Sequence, residues 1–130
     1  MISGSNIEQF IPQRPPFVFI DTVEEVTETT ARTRFTVPAK CPLVTDGILP
    51  LSGLMENAAQ TCAVRAGNTI GYIGAVKHMQ VTRFPEVGQT IRTEATVVQE
   101  VLNICLMEVK TYWEDQLIAS TTLKIAVVGR

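Results

Sequence analysis

Few side chains in this sequence can do acid–base or covalent chemistry. A single histidine, His78, and three cysteines, Cys41, Cys62 and Cys105, stand among 13 acidic and 11 basic residues. The most suggestive pair is Glu56 and Gln60, both in the run SGLMENAAQTCAVRA of residues 52–66. Four residues apart on a helix they are neighbours, so the amide can fix the rotamer of the carboxylate. A carboxylate held in that way can serve as a general base or as a nucleophile toward a carbonyl. By residue type alone, Glu56 is better explained as a solvated charge in the first helical turn, where the helix dipole favours it. His78 has no partner in its own stretch and reads as a solvated residue on a sheet surface. The cysteines are odd in number and lack CxxC spacing, which argues against a disulfide framework and against a zinc site. They read as reduced, packed thiols.

The element that must carry Glu56 is the one long helix. Residues 52–66 contain no proline, and Gly67-Asn68 follows where a C-cap is expected. At 3.6 residues per turn, Glu56, Asn57, Gln60 and Thr61 fall within an arc of about 140°. Met55, Ala58, Ala59, Cys62, Ala63 and Ala66 make the opposite side, whose small residues let a neighbouring backbone come close. After the helix the pattern changes to period two. Ile91, Thr93, Ala95 and Val97 form one face, and Cys105, Met107, Val109, Thr111 and Trp113 another. Leu117, Ala119, Thr121, Leu123, Ile125 and Val127 form a third. The connections at residues 85–88, 102–103 and 114–115 are short, as in an antiparallel meander. Before the helix, residues 6–10 read as a helical turn with Asn6 as N-cap, stopped by Pro12, Pro15 and Pro16. Residues 17–26 and 31–37 read as strands or one bent hairpin. The expectation is an α+β fold in which one curved antiparallel sheet wraps one long helix.

Length and composition bound the rest. A chain of 130 residues with 45% hydrophobic and 18% charged residues suits a single domain, 1–130. The net charge of -2, with no basic run, excludes an ordinary nucleic-acid binder. No apolar stretch approaches the roughly 20 residues that span a bilayer, and the N-terminus lacks a signal-peptide pattern, so no membrane is expected and the protein is read as cytoplasmic. Long strands leave exposed edges, and pairing one across a two-fold axis covers it; a homodimer or higher oligomer, or a heterodimer, is expected.

Two stretches carry a family resemblance. IPQRPPFVFID, residues 11–21, resembles the N-terminal signature of FabA/FabZ-type 3-hydroxyacyl-ACP dehydratases, roughly LPHRxPFLLVD. ILPLSGLMENAAQ, residues 48–60, resembles the start of their central helix, roughly xFPGVLxxEAxAQ. The resemblance implies a hotdog fold, a dimer with sites at its interface, a tunnel for an acyl-phosphopantetheine arm on ACP or CoA, and no cofactor. It also implies a catalytic pair made of a histidine in the first motif and an acidic residue in the second, contributed by opposite protomers. By motif position the acid is Glu56, and the histidine position is held by Gln13. The GHFPG-like stretch before the family's helix is here CPLVTDG, without histidine. The glycine after its proline is Leu51, with Gly53 two residues on.

Dehydration of a 3-hydroxyacyl thioester needs a base for the proton beside the carbonyl, an acid for the departing hydroxyl and donors for the enolate-like oxygen. Gln13 can orient a group but has no proton to exchange near neutral pH. Glu56 and Gln13 are therefore the candidate catalytic residues, and Leu51, Ser52, Gly53, Gln60 and Arg14 the candidate substrate-binding ones. For Gln13 and Arg14 the alternative is a loop anchored between prolines. Asp21 is expected to make a structural hydrogen bond. The missing imidazole would come from a heteromeric partner or from His78. Three functions stay open: a dehydratase-like protein of fatty-acid, polyketide or polyene synthesis; an acyl-CoA or acyl-ACP thioesterase centred on Glu56; and a non-catalytic binding subunit of a hotdog heterodimer.

Overall fold

A computed structural model describes residues 2–66 and 70–128. A two-residue strand β1 (Ile2–Ser3) and a 3-10 turn (Gly4–Gln9) lead through a loop to β2 (Thr22–Val26) and β3 (Thr30–Thr36). The helix α1 (Leu51–Ala66) follows, then β4 (Ile70–Val81), β5 (Thr90–Val101), β6 (Ile104–Trp113) and β7 (Gln116–Val128). All strands join one antiparallel sheet in the order β1-β2-β3-β5-β6-β7-β4. This is the curved sheet about one long helix that the sequence leads one to expect. The strand that follows the helix ends up at an edge, because β7 and not β5 pairs with it. The expected C-cap at Gly67-Asn68 lies outside the described residues.

The concave face meets the helix through the alternating residues of β3, β5, β6 and β7. Phe35, Ile91, Ala95, Met107, Val109 and Leu123 are buried, and they pack with Leu54, Ala58 and Cys62 of the helix into the main clusters. Cys41, Cys62 and Cys105 are buried thiols. Phe19 stacks on Phe35 with ring centroids 5.5 Å apart.

Four local expectations are corrected. Residues 17–21 read as strand but are not strand, because side chains of the helix occupy the place of a neighbouring strand along much of this stretch. In β7 a bulge makes Tyr112 pair with Leu117 and Thr111 with Ala119, so Ile118, 1% exposed, takes the core place expected of Leu117, 44% exposed. In β4 two breaks of register, at Ile73/Ala75 and Lys77/Gln80, destroy the simple alternation. His78 sits in the second with φ +55° and is exposed, as a surface residue should be. Finally, α1 starts at Leu51, which moves Glu56 into the second turn. There it is beyond the first-turn donors, so a dipole-favoured surface charge explains it less well.

Among the described residues no helix is long and apolar enough to cross a membrane.

Candidate active site

The polar arc of α1 is the most deeply buried part of the helix, with Asn57, Gln60 and Thr61 each 0% exposed. A buried amide must find partners. These find the backbone of the loop that precedes β2. The Phe19 N–H donates to Gln60 Oε1 at 2.7 Å, Gln60 Nε2 donates to Phe17 O at 2.9 Å, and Asn57 Nδ2 donates to Phe19 O at 2.7 Å. Helix side chains thus replace a neighbouring strand, which is why residues 17–20 do not join the sheet. Thr93 Oγ1 donates to Asn57 Oδ1 at 2.6 Å, and the Thr33 and Thr61 hydroxyls are 2.8 Å apart. The arc is therefore tied to β3 and β5 as well as to the loop. In the sequence Asn57 falls on the polar side of the helix without an evident role. Its signal was an amide one residue after the acid in a helix otherwise rich in alanine.

Gln60 has a donor left for Glu56, and Nε2 reaches Glu56 Oε1 at 3.0 Å. The carboxylate, half-buried, is held by an amide that is itself locked to Phe17 and Phe19. One hydrogen bond from Gln60, itself held by two more, sets its direction.

Gln13 and Arg14 divide. Arg14 is exposed, its Nη1 donates to Ile11 O and Gln13 O at 2.8 Å each, and its Nε lies 3.1 Å from Glu8. That is the anchoring role for the loop. Gln13 instead lines a narrow apolar cleft walled by Ala59, Ala63 and Ala66 on the helix and by Met107, Ile125 and Val127 on the sheet. Its Oε1 is buried and has no hydrogen-bond partner. Glu56 precedes Ala59 by one turn but does not line this cleft. The small helix side is therefore only partly a packing surface: Ala58 and Cys62 are buried, while Ala59, Ala63 and Ala66 stay half-exposed beside open space.

The helix start is less open than the motif suggests. Gly53 N–H donates to Pro50 O at 3.0 Å, and a Cβ on Gly53 would lie 2.6 Å from Leu49 Cγ. Gly53 thus serves the close approach of Leu49 and does not offer its N–H to a ligand. Leu51 and Ser52 are exposed, and first-turn N–H groups have no acceptor within the helix. They remain the candidate donors to a carbonyl oxygen.

Asp21 is structural. Thr36 N–H donates to its Oδ2 at 2.6 Å, and burial pushes its carboxyl above the usual range, with the Thr36 bond partly opposing that. Arg65, which sequence reading did not single out, ends the same cleft. With a side chain only 8% exposed it pairs with Glu100 at 2.9 Å, donates from Nη1 to Glu28 O at 2.8 Å and lies 3.6 Å from Cys105 Sγ.

The sequence model of the ApeP-like family, described as ApeP dehydratase, matches residues 5–127. This chain belongs to the ApeP-like dehydratase family. Its hotdog architecture is shared by solved structures of low identity. The ApeI:P dehydratase heterocomplex from Xenorhabdus doucetiae superposes with a TM-score of 0.87 at 14% identity, over 95% of this chain and 91% of that one. An uncharacterized protein from Pyrococcus horikoshii gives 0.77 at 14% identity, over 100% and 97%. A hypothetical thioesterase with coenzyme A from Streptococcus pneumoniae gives 0.71 at 13% identity, over 84% and 86%. Comparison with curated proteins finds no match.

Proposed function

We propose that this ApeP-like chain is a dehydratase subunit for 3-hydroxyacyl thioesters of phosphopantetheine, on ACP or CoA, in fatty-acid, polyketide or polyene synthesis. Glu56 supplies the carboxyl group, and a second hotdog subunit supplies the imidazole. A base takes the C2 proton, the C3 hydroxyl leaves as water after protonation, and the C2–C3 double bond forms; a carboxyl and an imidazole divide those duties. The observation that carries this reading is the hydrogen bond by which the amide of Gln60, and no imidazole, holds Glu56 among the described residues. Glu56 is aimed by Gln60, the histidine position of the FabA/FabZ-type signature is held by the amide of Gln13, and His78 lies in a bulge of the edge strand. The dehydratase heterocomplex from Xenorhabdus doucetiae supports a partner. So does the free edge of β4, where Tyr72, Ile73 and Val76 are 61%, 43% and 44% exposed, since a strand of another hotdog chain would cover it.

Incubation with a 3-hydroxyacyl-ACP, alone and with a histidine-bearing hotdog chain from the same gene neighbourhood, should give enoyl absorbance only or mainly in the mixture. Glu56→Gln should lower that rate about 10²-fold to 10⁴-fold, and Gln13→His should raise the rate of this chain alone. Absence of turnover under both conditions would leave a non-catalytic acyl-binding subunit.

A second reading has its own observation. A carboxylate fixed by an amide, as Glu56 is by Gln60, suffices for a thioesterase that uses it as nucleophile or base for water. Free-thiol release from an acyl-CoA, abolished in Glu56→Gln, distinguishes this from dehydration.

A further inference from the structure

Two buried polar atoms among the described residues lack a partner, Gln13 Oε1 and Arg65 Nε, and both residues line the apolar cleft beside Ala59, Ala63 and Ala66. Together they are complementary: one is an acceptor wanting a donor, the other an N–H wanting an acceptor. The rest of Arg65 is fully engaged, with Nη1 on Glu28 O and Nη2 on Glu100, so the guanidinium is held while its third nitrogen is left over. Both atoms are already out of reach of water, so a plain hydrocarbon chain in this cleft would leave them unpaired, the costliest state for buried polar groups.

We propose that the cleft takes an apolar chain carrying both a hydrogen-bond donor and an acceptor, with the donor on Gln13 Oε1 and the acceptor on Arg65 Nε–H. Resting on the acyl-thioester reading above for ligand class, this chemistry has two sources. One is the amide-bearing pantetheine arm; the other is an acyl tail with a hydroxyl group along it. In either case Gln13, in the position of the family's base, is a binding residue, and Arg65 is a specificity residue remote from Glu56.

The test compares three thioether probes by titration calorimetry: S-methylpantetheine, S-hexylpantetheine and S-(6-hydroxyhexyl)pantetheine. Binding is measured on the wild-type chain, on Gln13→Met, which keeps the length and loses the acceptor, and on Arg65→Lys, which keeps a charge for Glu100 and loses Nε–H. If the arm is the source, all three probes weaken roughly tenfold in each variant, the worth of a hydrogen bond to a buried or charged group. If the tail is the source, the hydroxyhexyl probe binds wild type roughly tenfold more tightly than the hexyl probe, and the variants erase only that advantage. Equal binding of the hexyl and hydroxyhexyl probes, with no variant changing any Kd more than twofold, overturns the proposal, as does failure of every probe to bind. Gln13→Met alters a half-exposed loop position, so its change in Kd decides the matter even if Arg65→Lys does not fold. None of the probes can be dehydrated, so this result and that of the enoyl assay can fail independently.

Discussion

The Gln60 amide and the backbone of Phe19 are joined across 41 residues by a buried hydrogen bond of 2.7 Å, and the same amide holds Glu56 at 3.0 Å. The candidate catalytic carboxylate is thereby coupled to the loop that carries Gln13. Gln60→Leu should cost about 2–4 kcal/mol in urea denaturation, because it strands the Phe19 N–H and Phe17 carbonyl in the interior. Gln60→Glu should be comparably harmful, since a carboxylate cannot donate to Phe17 O and would face Glu56. A stability loss below about 0.5 kcal/mol in both would mean that water replaces the amide and the loop is not clamped.

Asn57 donates to the carbonyl of the same residue, Phe19, and accepts from Thr93. Thr93→Val should destabilise by about 1–2 kcal/mol and Asn57→Ala by about 2–4 kcal/mol. The double variant should fall short of their sum by at least about 0.5 kcal/mol, since the partners share one network. Additive losses would show that the two side chains act separately.

At Gly53 two effects oppose. Alanine is favoured over glycine in a helix by about 1 kcal/mol, but its Cβ would come within 2.6 Å of Leu49 Cγ, and Leu49 is fully buried. Overpacking costs about 1–3 kcal/mol, so Gly53→Ala should be net destabilising. Adding Leu49→Ala should reverse the sign of the Gly53→Ala effect, which thermal melts of the four species would reveal.

Burial pushes the Cys62 thiol from 9.0 up to about 12, reinforced by Cys105 and partly opposed by Arg65. Between those values the unfolded thiol ionises while the folded one does not, so the unfolded state binds fewer protons and stability falls as pH rises. Denaturation midpoints should decline from about pH 9 upward, and Cys62→Ala should have a shallower decline. In the native protein Cys62 should resist alkylation at pH 8, read by peptide mass spectrometry; rapid labelling there would contradict its burial.

Local pattern made much of this chain legible. The inward faces of β5 and β6 follow from alternation, and the helix from a proline-free run rich in alanine. The location of Glu56 follows from the motif around it. Each of those signals is carried by residues close together in sequence, where period and propensity act directly. Residues 17–20 misled because β-rich composition says only that a segment is extended, not which groups satisfy its backbone. In β4 the alternation failed at bulges that pairing with β7 imposes.

Tertiary structure alone decided the rest. The clamp of Asn57 and Gln60 on Phe17 and Phe19 joins positions 38 to 43 residues apart, and the cleft shared by Gln13 and Arg65 joins a loop to the far end of the helix. Such contacts depend on how the sheet curls around the helix and leave no periodic trace. The sequence by itself determined that a carboxylate rides on a central helix. Whether that carboxylate is aimed, and which buried atoms are left for a ligand, are settled by long-range packing, because satisfaction of a buried polar group depends on every neighbour it meets.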